Sequence, residues 1–270
     1  MAYTAGFLGC GNMGGTLARC ACKAIEGKNV AVCDLDDQKT SAIKEEYGAA
    51  VLTSPELVRQ CRYVFLGLKP QVLSKALDGI ADAFAENQDV VLVSMAAGVA
   101  IDAVAAVLSA HGISLPIIRI MPNTPAEVGE GMILYCKNEL VTPSQLEGFL
   151  SLMAKAGRLL PLDEGHIDAG CSVSGCGPAY AYLFIEALAD GGVECGLSRA
   201  DAQLLAAQTV LGAAKMVLAK GNPGALKDAV CSPGGTTIAG VHALEKNAFR
   251  NAAMDAVTAA YQKTLGITKS

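Results

Sequence analysis

Up to residue 162 the apolar positions fall into short β-branched or aromatic runs, separated by longer stretches whose apolar residues recur at helical spacing. Residues 3–8 read as a short buried strand, 13–26 as a helix and 29–34 as a second strand. Val51 is a weaker strand candidate, and 63–68, 90–93 and 116–120 are further strands, each ending in a turn. Residues 131–135 and 158–160 add two more. Strand–helix alternation of this kind predicts a parallel sheet with helices on both faces. From Asp163 the strand signal stops, and Asp163 and Glu164 have the acidic character of a helix N-terminus. Helices are predicted at 178–193, 199–219, 237–245 and 249–265. The expected organisation is an α/β domain over 1–162 and an all-helical domain over 163–270.

Two apolar stretches need a partner. Residues 90–110 are long enough to span a bilayer, but Ser94, Gly98 and Asp102 interrupt them, and a buried strand, a turn and a helix account for the pattern. Between 204 and 219 the polar side chains are Gln208, Thr209 and Lys215, which at 100° per residue fall on one narrow stripe. A helix that is apolar around most of its circumference has to be covered, and a second subunit is the expected cover.

Composition narrows the class. With 21 Lys+Arg against 26 Asp+Glu, a net charge of −5 and a pI near 5.3, no basic face for nucleic acid is expected. A hydrophobic content of 52% and a mean hydropathy of +0.37 exclude a disordered chain. The first residues show no charged segment followed by an apolar core and a cleavage site, so a cytoplasmic protein without a membrane anchor is expected. The 10 cysteines, Cys20, Cys22, Cys33 and Cys195 among them in apparent strands and helices, include no Cys-x-x-Cys pair, and the 3 histidines are scattered. Reduced thiols fit this better than disulfides, and a metal site has nothing to build on.

The strongest local signal is Gly9-Cys10-Gly11-Asn12-Met13-Gly14, which follows a predicted strand and opens a predicted helix. Gly9 permits the tight turn, Gly11 lets a pyrophosphate approach the backbone, and Gly14 lets the helix pack close to the strand. Asp34, 20 positions beyond Gly14, closes the second strand where a carboxylate would accept hydrogen bonds from an adenosine ribose. Its charge, with Asp36 and Asp37 beside it and Lys39 as the nearest cation, favours NADH over NADPH. Two further turns follow strands of the same sheet: Gly67-Leu68-Lys69-Pro70, and Ala96-Ala97-Gly98. Their small residues and proline suit a backbone lying against a flat ring.

Carbonyl reduction is under-equipped. Four residues after Tyr135, Tyr180 and Tyr182 stand Glu139, Phe184 and Glu186, so no Tyr-x-x-x-Lys pair exists. The predicted helix 178–193 has no lysine, and the histidines have no evident partner in sequence. A protonated cyclic imine already has the positive charge that draws hydride, and asks for positioning more than activation. Ser232-Pro233-Gly234-Gly235-Thr236-Thr237 supplies that at the start of a predicted helix. The amides of Gly234, Gly235 and Thr236 can cradle a carboxylate, and the Thr237 hydroxyl can reach a ring nitrogen.

These blocks resemble pyrroline-5-carboxylate reductases, and the resemblance covers nearly the whole chain. It includes Leu68-Lys69-Pro70, Met95-Ala96-Ala97-Gly98-Val99, Arg119-Ile120-Met121-Pro122-Asn123-Thr124-Pro125, Ser174-Gly175-Cys176-Gly177-Pro178-Ala179-Tyr180 and Leu226-Lys227-Asp228. The resemblance implies a Rossmann-type doubly wound sheet followed by an all-helical dimerisation domain that interleaves with a second subunit. It implies homodimers that can assemble into decamers, with NADPH or NADH as cofactor and 1-pyrroline-5-carboxylate as substrate. Lys69, Pro70, Ala97 and Asn123 would border the cofactor, and Val230, Ser232, Gly234, Gly235, Thr236 and Thr237 would hold the substrate, Thr237 touching its nitrogen. Three positions depart from the family pattern. Cys176 stands in place of a serine, Cys231 in place of a Ser or Thr, and Asp34 where many members have Ser, Asn or Arg.

Overall fold

The computed structural model of the chain describes residues 1–87 and 89–268. Its strands are β1 (Tyr3–Leu8), β2 (Val30–Cys33), β3 (Ala50–Val51), β4 (Cys61–Leu66), β5 (Val91–Ser94), β6 (Ile117–Met121), β7 (Gly131–Lys137) and β8 (Gly157–Pro161). They form one 8-stranded sheet in the order β3-β2-β1-β4-β5-β6-β7-β8. Its first six strands thus follow the order 3-2-1-4-5-6 of doubly wound dinucleotide-binding domains. The helices between them are α1 (Asn12–Ile25), α2 (Asp37–Tyr47), α3 (Ser54–Gln60), α4 (Pro70–Asp78), α5 (Ala81–Glu86), α6 (Ile101–Ser109) and α7 (Pro143–Leu152). After β8 come α8 (Glu164–Ser174), α9 (Gly177–Glu194), α10 (Arg199–Lys220), α11 (Pro223–Val230), α12 (Thr236–Lys246) and α13 (Phe249–Thr268).

One expectation needs correction: the sheet is not parallel throughout, because β6 and β7 pair antiparallel. A parallel return needs a crossover of about a dozen residues or more. The link here is short and holds a single 3-10 turn at Thr124–Val128, so the chain can only double back. The stretch 90–110 resolves into β5, a turn and α6, with the strand buried on both faces. One helix, α11, lies between the helices predicted at 199–219 and 237–245 and is not among those predicted. Asn222-Pro223-Gly224 has turn composition, yet the Asn222 side chain accepts the Ala225 amide at 3.2 Å and Pro223 starts the helix.

Aromatic packing anchors one face of the sheet. Phe7 and Phe65, neighbours on β1 and β4, stack with centroids 4.4 Å apart. Phe149 of α7 closes over them, 6.4 Å from Phe65 and 5.9 Å from Tyr135. α8 packs on the same sheet, with Ile167 buried beside Met121 and Leu134. The compact units are therefore Met1–Cys176, with the chain from Ala260, and Gly177–Ala259.

The helical unit has a small core of its own. Ala189, Ala202 and Ala206 are buried, with Ile185 and Val193 against them. α10 is long and apolar enough by length and composition to cross a membrane, with mean hydropathy 1.4. Leu204 is 69%, Leu205 55% and Leu218 62% exposed on it. An apolar face of that extent marks a contact surface.

Two outcomes are expected. Phe149→Ala should lower stability by about 3–5 kcal/mol in denaturant unfolding, since it empties a fully buried ring site. Sedimentation at micromolar protein should show no monomer, whereas Leu204→Glu with Leu205→Glu should release one; a stable wild-type monomer would leave the α10 face unexplained.

Candidate active site

The turn after β1 is built by backbone contacts. The Gly9 amide donates to the Cys33 carbonyl at 2.8 Å and the Gly67 amide to the Leu8 carbonyl at 2.7 Å. These bonds fasten the ends of β1, β2 and β4 together. Gly9 has φ +93°, and a Cβ there would lie 2.5 Å from the Gly67 carbonyl oxygen. A Cβ on Gly14 or Gly67 would collide with the Gly9 carbonyl, whereas one on Gly11 would meet nothing within 4 Å. Gly9 and Gly14 are thus required by packing, while Gly11, the N-cap of α1, faces open space. That is the space a phosphate needs in front of the free amides of a helix start.

Asp34 does more than close β2. Its Oδ2 accepts the Cys10 amide at 2.6 Å and its Oδ1 the Asp36 amide at 2.9 Å, so the carboxylate pins the glycine-rich turn to the strand beside it. Lys39 Nζ stands 3.9 Å from Asp34 and 3.4 Å from Asp36. Burial alone would raise the Asp34 pKa. The amides of Asp36 and Cys10 and the charge of Lys39 outweigh it and hold the carboxyl below its ordinary value of 3.8. Burial and the Asp34 charge push the neighbouring Cys10 thiol up to about 12, so it stays neutral.

Gly9, Gly11, Asp34, Leu68 and Lys69 line one cavity of about 550 Å³ at the carboxyl ends of β1, β2 and β4. Leu35, Val72 and Lys75 also line that cavity, and nothing in the sequence marks them. Leu35 is fully exposed, an apolar side chain between Asp34 and Asp36, the latter the N-cap of α2. Lys69 is the N-cap of α4 and Pro70 its first residue. Asn12 lines a second cavity that shares Gly11, with Thr16, Arg19 and Lys39, and Met13 packs on the sheet core. Ala97 and Gly98, the latter at φ +71°, form the turn between β5 and α6. Asn123 is nearly buried and its amide is committed: Oδ1 accepts the Met132 amide at 2.8 Å, and Nδ2 donates to the Ser174 carbonyl at 2.9 Å.

In the helical unit, Val230 ends α11, and residues 232–235 form a tight turn into α12. Gly234 has φ +68°, and the Gly235 amide is already donated to the Ser232 carbonyl at 3.0 Å. The cradle therefore differs from the expected one. Gly235 is the N-cap, and the first-turn amides of Thr236, Thr237 and Ile238 are those left open by helix geometry. Ser232, Gly234, Thr236 and Thr237 are exposed. His111, without an evident partner in sequence, lies 3.1 Å from Asp78 in a surface pair.

An open sheet of this order defines the first unit as the nucleotide-binding part of a nicotinamide-dependent oxidoreductase. A glycine turn at its switch point and an acid closing β2 complete that signature. Residues 4–107 match the family described as NADP oxidoreductase, coenzyme F420-dependent, and 164–266 match pyrroline-5-carboxylate reductase dimerisation. The chain is 41% identical to the pyrroline-5-carboxylate reductase of Escherichia coli K12, over 98% of each chain. It is 40% identical to that of Arabidopsis thaliana, over 99% of this chain and 96% of the relative. The crystal structure of the Plasmodium falciparum pyrroline carboxylate reductase with NADP bound superposes with a TM-score of 0.86 at 32% identity, covering 98% of each chain. The chain belongs to the pyrroline-5-carboxylate reductase family.

The tie between Asp34 and Cys10 is testable without any ligand. Asp34→Ser should lower stability at pH 7 by about 1.5–3 kcal/mol, the range for hydrogen bonds to a charged group. Because the folded pKa lies below the unfolded one, the contribution is complete above the unfolded value and fades as pH falls through the folded one. Urea unfolding of both proteins should show a constant gap from pH 6 to 8 that narrows below about pH 4.

Proposed function

We infer that this chain reduces the cyclic imine 1-pyrroline-5-carboxylate to L-proline, the last step of proline biosynthesis, with NADH or NADPH as reductant. What supports the assignment of its parts is the start of α12. There, open amides and the Thr237 hydroxyl stand together on an exposed turn, suited to an anionic ring with a charged nitrogen.

The residues present fit a nicotinamide dinucleotide. Gly11 leaves room for the pyrophosphate, Asp34 has carboxylate lone pairs beyond the two amides it holds, and the cavity wall beside it is largely apolar. When bound, that cofactor supplies the hydride that the imine carbon receives. Gly9, Gly11, Asn12, Met13 and Gly14 form the phosphate turn, and Asp34 orients the adenosine ribose. Leu68, Lys69 and Pro70, with Ala97, Gly98 and Asn123, shape the rest of the cofactor site. Val230, Ser232, Gly234, Gly235, Thr236 and Thr237 hold the substrate, its carboxylate on the α12 amides. The Thr237 hydroxyl accepts a hydrogen bond from the protonated ring nitrogen and fixes the face that the imine carbon presents.

Cofactor preference follows the charges. A ribose phosphate would meet Asp34 and Asp36, with Lys39 paired to both. NADH is favoured and NADPH tolerated. Residues 163–270 serve as the dimerisation and substrate-binding domain, in a cytoplasmic homodimer that can assemble further into decamers. A second copy of the chain covers the α10 face.

Loss of reduced-cofactor absorbance on adding 1-pyrroline-5-carboxylate, run in parallel with NADH and NADPH, tests the reaction; no oxidation with either would refute it. Thr237→Ala should cut turnover about 10- to 100-fold while leaving the unfolding midpoint in place. Asp34→Ser should move the ratio of the two cofactor efficiencies toward NADPH by on the order of tenfold, equivalent to about 1.4 kcal/mol. An unmoved ratio would remove Asp34 from the ribose site.

A further inference from the structure

Arg119 is a charged side chain on a buried strand, only 3% exposed. Its guanidinium lies 2.7 Å from Asp168 and 3.3 Å from Glu164, both on α8. The same Glu164 oxygen, Oε1, accepts the amide of Ile101 at 2.7 Å. Ile101 is the first residue of α6, whose own N-cap, Ala100, has no side chain able to cap it. A carboxylate from a helix far along the chain therefore caps α6, and Arg119 holds that carboxylate in place.

This cluster is not arranged for stability. Among the described residues, Arg119 Nε has no hydrogen-bond partner, nor does the buried hydroxyl of Ser94, which sits opposite Arg119 in the β5–β6 register. Orphaned buried polar groups cost folding free energy, and buried ion pairs return little. What the cluster does is define position. The segment between Ser94 and Ile101 holds Ala97 and Gly98; β5 anchors it at one end and Glu164 grips it at the other. α8 is itself held twice from β6 and the turn after it, by Arg119 near its start and by Asn123 on the Ser174 carbonyl at its end. No charged side chain occurs between residues 95 and 101, so the turn has no ion pair of its own to set its height above the sheet.

We propose that Glu164, oriented by Arg119, is a positioning residue for the reaction. By capping α6 it sets where the 95–100 turn stands, and so where the nicotinamide ring rests. This depends on the reading above that Ala97 and Gly98 border the cofactor. Displacement of about 1 Å in such a support can lower rate up to 10²-fold without any change in the reacting groups.

Two conservative variants separate reach from charge. Glu164→Gln keeps an oxygen at the same distance for the Ile101 amide but removes the negative charge. Glu164→Asp keeps the charge and draws the oxygen back by one methylene. Full-length proteins are compared by steady-state kinetics, with NADH affinity measured by fluorescence titration. Glu164→Asp is expected to lower kcat, or weaken NADH binding, by about tenfold with the KM for 1-pyrroline-5-carboxylate within about twofold; Glu164→Gln stays within about threefold of wild type throughout. Wild-type behaviour of both variants, equal loss in both, or a larger loss in Glu164→Gln would overturn the proposal. Ala97→Val, made alongside, tests the reading beneath it. Normal NADH binding and turnover there would place the turn away from the cofactor and remove the basis of the proposal. Impaired Ala97→Val with two wild-type Glu164 variants would reject the positioning role alone.

Discussion

The close approach of two backbone turns, at Gly9 after β1 and Gly67 after β4, is the constraint on which the first unit rests. Each has its nearest would-be Cβ neighbour in the carbonyl of the other, so neither site admits a side chain. With both turns seated, β1 and β4 end side by side where the strand order reverses, and the helices α1 and α4 start from that line. Asp34 then draws the Cys10 amide toward β2. One carboxylate and two glycines thereby place the start of a helix, an open space and a negative charge within one cavity. A dinucleotide site needs no further catalytic group at this end, because its phosphates are met by amides that the fold leaves unpaired.

The two units bury apolar surface in different ways. The sheet unit covers its strands with helices on both faces, with one core around Phe7, Phe65 and Phe149 and another around Leu66, Phe84 and Leu92. The helical unit has three alanines at its centre and leaves leucines of α10 in the open. Alanine at a helix contact allows close approach but buries little area, so such a unit gains little from its own core. Residues 164–266 match a dimerisation family, in keeping with the proposal that a second copy covers that face.

Between these extremes lies the polar cluster of Arg119, Glu164 and Asp168. Hydrophobic packing is non-directional and fills space without fixing the height of a turn to a fraction of an ångström. Charge-assisted hydrogen bonds are directional, so the turn before α6 gains a fixed position from one even where it adds nothing to stability.

Much was readable from local pattern. The strand over residues 3–8, the glycine turn after it and the long helices after residue 163 follow from spacing and from glycine positions, because period and permitted φ are properties of a few adjacent residues. The lack of an evident hydrophobic cover for residues 204–219 was equally legible, since amphipathicity is a local quantity. Contacts made across sequence distance were not. In the sequence Arg119 and Asn123 are letters of one block and Glu164 is the start of a helix, with nothing to show what their side chains hold. Their partners lie far along the chain, and only folding brings them within hydrogen-bond reach. The antiparallel turn-back at β7 belongs to the same class, because strand direction depends on how far a link can reach through space. The sequence by itself determined most of the strands and helices and the backbone positions where only glycine fits. Tertiary structure alone decided which polar atoms are used up inside the protein and which are left to meet a ligand, because a hydrogen bond is settled by distance in space and not by separation along the chain.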